Sequence, residues 1–279
     1  MITHLAVHEL RVMLRSPFAW LAAGLLQLLF GWLFLSAIER YLTLQTSTAQ
    51  SGGTGLSSYL IVHFFAPVSI VFMIATPLLC MHLVAGEKQA NRYALLLSLP
   101  VTGTHYILGK FIGATVYQLL ILALTGVLFA ILSVNIKLQI SHLVTAGAGL
   151  FLFITTITAL TLFYSSLTKR PMIAAFTSFV TVALLWMAAA TSTGGMLQFA
   201  SPSAHLHSFM QGWLDSRDIV YFVAVTGALL SLGIWRFDAQ RSHGNSHGSF
   251  MGRSHDHSMK NSPDQTPKKI NSHTLGATA

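Results

Sequence analysis

Residues 143–167 read LVTAGAGLFLFITTITALTLFYSSL, an apolar run without a charged side chain, closed by Thr168-Lys169-Arg170. A hydrocarbon core of ~30 Å is crossed by about 20 apolar residues in helical form. Lipid offers no partner to an unpaired backbone group, so a run of this length and character is a transmembrane helix rather than a strand. Outward from it the pattern recurs. Pro171–Thr191, Phe111–Val134 and Pro17–Ile38 carry no charge, and Tyr59–Ala85 carries only the histidines His63 and His82. Ile219–Trp235 is the shortest run, and Arg236 lengthens it by snorkelling. The reading is an all-α membrane protein with six transmembrane helices.

Composition excludes the alternatives. Of 279 residues, 53% are hydrophobic and 9% charged, and the mean hydropathy is +0.63; an ordinary soluble domain is about 25% charged. Disordered chains are charge-rich and poor in aromatics, unlike the bulk of this one. The single cysteine, Cys80, excludes a disulfide framework and a thiolate zinc cluster. A net charge of +8 in such a chain reports topology rather than nucleic-acid binding. Six spans put both termini on one side. All of the 16 Lys and Arg residues except Arg40, Lys137 and Arg217 then fall on that side, which the positive-inside rule makes the cytoplasm.

Three domains follow. Residues 1–16 are predicted as an amphipathic interfacial helix, since His4, His8, Arg11 and Arg15 form one helical stripe with Ile2, Ala6, Leu10, Met13 and Leu14 opposite. The apolar run that follows is continuous with a span and too long for a secretory leader. Residues 17–236 form the six-helix domain. Residues 237–279, rich in Ser, His, Asn, Gly and Lys without an apolar period, are expected to be a disordered, His-rich cytoplasmic tail. Ser192–Asp218 is amphiphilic and suited to capping the bundle or dipping into the outer leaflet.

The segment after span two carries the most information. Gly86-Glu87-Lys88-Gln89 leaves the membrane, Ala90–Leu99 (ANRYALLLSL) is predicted as a short helix, and Pro100 stops it. Lys88 and Arg92 share one face, while Leu95, Leu96 and Leu99 supply an apolar one. Near it, Gly109 and Gly113 make a small-xxx-small pair suited to close helix packing. No nucleotide site is present. Gly103–Lys110 has five residues between its glycines where a P-loop has four, and Phe111 stands where the magnesium-binding Ser or Thr belongs.

The run Thr76-Pro77-Leu78-Leu79-Cys80-Met81-His82-Leu83-Val84-Ala85-Gly86-Glu87-Lys88, then Leu95–Val101 and Leu108-Gly109-Lys110-Phe111, resembles the permeases of ABC-2-type transporters. It looks closest to the group associated with gliding motility and nitrous-oxide reductase maturation. Downstream, Ser201-Pro202, His205, Ser208-Phe209, Gly212, Asp215, Arg217-Asp218 and Tyr221-Phe222 resemble that group's segment before its last span. The resemblance implies that the short helix after span two is a coupling helix seated in a separate ATPase subunit. Glu87, Lys88, Arg92, Leu95, Leu96, Ser98, Leu99 and Pro100 would be its coupling residues. It also implies a second permease copy or a homologous permease as partner, and a bacterial cytoplasmic (inner) membrane location. ATP and magnesium would be held by the partner ATPase, so this chain is expected to be neither an enzyme nor the holder of a cofactor. Gly86, His82 and the run Asn91-Arg92-Tyr93-Ala94 depart from the family's usual pattern.

The expected function is therefore a permease subunit of an ATP-driven transporter, an exporter, with membrane lipids around it and no nucleic acid. The absence of Asp and Glu from all six spans weighs against an ion-coupled carrier. Thr155, Thr158 and Thr161 lie on one helix face and could line a path or simply bond between helices. His63 and His82 are expected to be hydrogen-bonded inside the bundle. The histidines at 205, 207, 243, 247, 255, 257 and 273 lack the spacing and partners of a specific metal site. Two rival readings remain: a permease serving maturation of an extracytoplasmic metalloenzyme, of the copper/nitrous-oxide reductase type, and a membrane-anchored metal sensor without an ATPase.

Overall fold

The computed structural model describes residues 2–47, 56–89, 102–133, 139–191 and 201–260, with side chains for 4–44, 59–89, 102–133, 139–188 and 201–239. The described residues are helical, without a strand. In order, the helices are α1 (Ile2–Arg15), α2 (Pro17–Ser47), α3 (Leu56–Cys80), α4 (Ala85–Gln89), α5 (Gly103–Ser133), α6 (Ile140–Leu167), α7 (Pro171–Thr191), α8 (Pro202–Met210) and α9 (Ser216–Lys260). Six stretches among them are long and apolar enough to cross a membrane: Pro17–Leu44, Tyr59–Gln89, Gly103–Ser133, Ile140–Leu167, Pro171–Ala188 and Ser216–Ala239.

The spans starting at Tyr59 and Ile140 form the centre and are the most buried, whereas those of α2 and α9 are largely exposed at the periphery. Lipid is as apolar as leucine, so sequestration here does not come from the hydrophobic effect but from packing and hydrogen bonds between helices. Aromatic rings supply much of that packing. Phe34 of α2 meets Phe64 of α3 edge-on at 5.7 Å and Phe129 of α5 at 5.0 Å, and Phe64 meets Phe129 at 5.1 Å. Large apolar side chains such as Leu28, Trp32 and Leu35 face outward, as lipid contact allows.

Most buried hydroxyls of the described residues are satisfied locally, Thr76 and Thr115 excepted. Thr155, Thr158 and Thr161 donate to the carbonyls of Leu152, Ile154 and Ile157 of their own helix, Thr158 sharing its proton with Gln118. Between helices, Gln118 donates to Cys80 Sγ at 3.2 Å and accepts from Thr158 at 2.9 Å, tying α3, α5 and α6 together in the apolar interior.

Two features differ from expectation. The third span begins at Gly103, not Phe111, because Lys110 is neutralised inside the protein and no longer marks a boundary. His63 and His82 both face outward; His63 stacks on Tyr59 one turn away, 3.9 Å between centroids, and bonds its carbonyl at 3.0 Å. The last helix, α9, is continuous from Ser216 to Lys260. Propagating an existing helix costs little per residue, unlike nucleating one. The chain divides into two compact units, residues 1–238 and 239–279; the second is helical as far as Lys260.

Candidate functional site

The second long helix breaks at Cys80, and the chain turns through Met81–Val84 before α4 begins. Such a break exposes backbone groups that a membrane border cannot leave unpaired. Ser165 of α6 resolves it. Its hydroxyl accepts from the backbone N–H of Val84 at 3.3 Å and of Ala85 at 2.8 Å, and donates to the Met81 carbonyl at 3.2 Å. One residue on, the ammonium of Lys88 donates to the Ser166 carbonyl. The break is thereby pinned to the end of α6 at both ends of α4.

A second tie runs the other way. Lys110 of α5 is 2% exposed and holds Glu9 of α1 at 2.8 Å and Glu87 of α4 at 2.9 Å. Tyr106 donates its hydroxyl to the other oxygen of Glu87, and its ring lies 5.2 Å from the Lys110 ammonium and stacks on Phe237 of α9 at 4.9 Å. Close approach of α1 makes this cluster geometrically accessible. A Cβ on Gly109 would stand 2.7 Å from the Leu5 side chain, and one on Gly113 would stand 2.9 Å from Glu9 Cβ. The small-xxx-small pair therefore seats α1 rather than another span.

The cluster unites residues that sequence reading kept apart. Glu87 is engaged with α5, and through Lys110 with α1, while Lys88 is 9% exposed and turned into the bundle. The helical spacing predicts a face shared by Lys88 and Arg92; of the two, Lys88 is described and is turned inward. Arg92, Leu95, Leu96, Ser98, Leu99 and Pro100 lie outside the described residues. His4, His8, Arg11 and Arg15 are all exposed along α1. Gly103–Lys110, tested above as a P-loop, is the first part of the continuous helix α5.

At the far end of the bundle α8 caps the helices, burying Leu206, Phe209 and Met210 against them. His205 and Asp218, both under a tenth exposed, bond at 2.6 Å, and the imidazole stacks on Tyr221 at 4.0 Å. Ser201 and Pro202 are buried at the start of α8. Gly212 takes φ of +83°, which ends that helix in a conformation costly for other residues, and Asp215 accepts from the Arg217 N–H at 3.1 Å as α9 begins. The motif before the last span thus forms one structural corner: Asp215 and Arg217 are exposed while His205 and Asp218 join its two helices.

Glu9, Tyr106, Lys110, Ser165, Ser166 and Gln118 are the residues that sequence reading did not single out as site residues. Glu9 carries a signal, being the one acid of residues 1–16 and lying off the basic stripe. The serines carry none, since nothing distinguishes them from other hydroxyls in the spans. What the arrangement does is mechanical. It fastens the short helix that precedes residues 90–100 to α1, α5 and α6 at once.

A family model described as ABC-2 family transporter protein matches residues 3–241. No curated protein matches the chain.

Proposed function

Because the chain belongs to the ABC-2 family of transporter proteins, as an integral membrane permease, we propose that it works with a separate ATPase through residues 87–100 and exports its cargo from a bacterial cytoplasm. The observation that carries this reading is the double fastening of α4: Glu87 to Lys110, whose ammonium also holds Glu9 of α1, and Lys88 to Ser166. A segment that receives force must be rigidly joined to what it moves. Displacement of residues 90–100 by a closing ATPase pair would pass through α4 into the interfacial helix and into the central helix α6. ATP binding acts on transport only insofar as the two permease states make different contacts with the ATPase. Arg92, Leu95, Leu96, Ser98, Leu99 and Pro100 remain the docking contacts in this reading, with Glu87 and Lys88 as its internal anchors. Two permeases, as a homodimer or with a homologous chain, would enclose the path, and both termini would lie in the cytoplasm. The segment Ser201–Phe222 supports the gliding-motility and nitrous-oxide reductase maturation group as the nearest branch.

The test is Leu96→Asp, which places a charge in the apolar contact of the docking face, alongside Arg92→Glu. Both variants should insert and dimerise, yet lose co-purification with the partner ATPase and lose stimulation of its ATP turnover. Retention of both properties by both variants overturns the coupling role.

A further inference from the structure

The cluster that fastens α4 also forms the floor of a cleft of about 700 Å³, open at the membrane border between α1, the start of α2 and the α3–α4 break. Its volume lies within the range of small-molecule sites, ~300–1,000 Å³. Its lining is graded. One end carries Glu9, Glu87 and His82; the other carries Val12, Phe18 and Leu79.

The charge at the polar end does not balance. Two carboxylates face the single ammonium of Lys110, which takes one oxygen from each, and Tyr106 takes the second oxygen of Glu87. Among the described residues no hydrogen bond reaches Glu9 Oε2. A surplus negative charge at a partly buried site favours a cation that can reach it. A simple cation answers the polar end alone and leaves the apolar end empty. An ammonium joined to hydrocarbon answers both.

We propose that this cleft binds one phospholipid with a primary-ammonium head, drawn from the leaflet that α1 borders. The ammonium lies at Glu9 and Glu87, the phosphate beside the His82 imidazole, and the acyl chains leave past Val12, Phe18 and Leu79. Lipids with an anionic head are disfavoured by the same surplus charge. The site depends on the membrane-spanning fold and not on ATPase coupling, so either can fail while the other stands.

The experiment uses the full-length protein in nanodiscs of equal phosphatidylethanolamine and phosphatidylglycerol, followed by release into mild detergent and native mass spectrometry. One phosphatidylethanolamine should stay with each chain, preferred over phosphatidylglycerol by about tenfold, a fraction of one partly screened charge contact. Glu9→Gln should bring that preference close to parity. Val12→Trp, at a position 53% exposed and therefore tolerant of substitution, should fill the apolar end and reduce retention of either lipid. A photoactivatable phosphatidylethanolamine should label the peptides that hold Phe18 and Leu79. Equal retention of the two lipids by the unaltered chain, a preference unchanged in Glu9→Gln, retention unchanged in Val12→Trp, or label confined to other peptides each overturns the proposal.

Discussion

Lys110 is the residue on which most of the border end depends. Its ammonium is the shared partner of two carboxylates on two other helices, at 2.8 and 2.9 Å. Replacing it with methionine preserves much of the side-chain volume but leaves Glu9 and Glu87 facing each other without a cation. Breaking a buried pair costs ~3–5 kcal/mol, most of it from the orphaned charge. We expect Lys110→Met to lower the thermal unfolding temperature in detergent clearly. Adding Glu9→Gln should recover part of the loss, since contacting residues do not act additively. Gly212 presents a different cost. With φ at +83°, alanine there pays ~1–2 kcal/mol for the left-handed backbone. Its Cβ would also stand 2.6 Å from the His142 ring, so Gly212→Ala should destabilise the corner more than that backbone cost alone, as read by the same unfolding measurement.

The element whose order is most fragile is α4, five residues long. A helix that short has no stability of its own, because nucleation is unfavourable and only propagation repays it. It persists because Ser165 satisfies the N–H groups of Val84 and Ala85 and the carbonyl of Met81. Ser165→Ala removes the hydroxyl and adds no atoms to the site. Each buried group left unpaired costs ~1–3 kcal/mol. Hydrogen–deuterium exchange of the peptide covering residues 81–89 should accelerate, while α6 itself should exchange as before. Unchanged protection of that peptide would show that α4 is held by Glu87 and Lys88 without the serine. The seating of α1 is a second element-level case. Gly113→Leu would drive a side chain into Glu9 Cβ and the Ala6 carbonyl, and overpacking costs ~1–3 kcal/mol. Limited proteolysis should then cut α1 faster than in the unaltered chain.

For the molecule as a whole the sidedness of the membrane is the property on which coupling rests. All the Lys and Arg residues except Arg40, Lys137 and Arg217 fall on one side of a six-span topology. That bias predicts cytoplasmic termini and an extracytoplasmic Ser51. In a background with Cys80 replaced, a cysteine at position 51 should react with an impermeant maleimide on intact cells, and one at position 98 should react only after permeabilisation. Labelling of position 98 on intact cells would invert the topology and remove residues 87–100 from reach of any cytoplasmic ATPase.

How much of this was legible without the fold depends on the range of the interaction concerned. Residues 143–167 announce a span through properties carried by each residue, since transfer from water to lipid acts on every side chain separately and sums along the run. The stripe His4, His8, Arg11 and Arg15 is legible for the same reason, spacing along one helix being enough to group them. Even Gly109 and Gly113 declare that something packs closely there, though not what. Partner choice is another matter. Lys110 and Glu9 are 101 residues apart, and Lys88 and Ser166 are 78 apart; neither pair leaves any trace in local hydropathy or period. Read along the chain, Lys110 is a charge that ends a span and Lys88 a charge that faces solvent. Inside the bundle both are buried, because neighbouring helices bring oxygen atoms to them that water would otherwise have to provide. The composition dictates helices and lipid, whereas the abutment of α1, α4, α5 and α6 dictates which charges are spent within the protein and which face a partner.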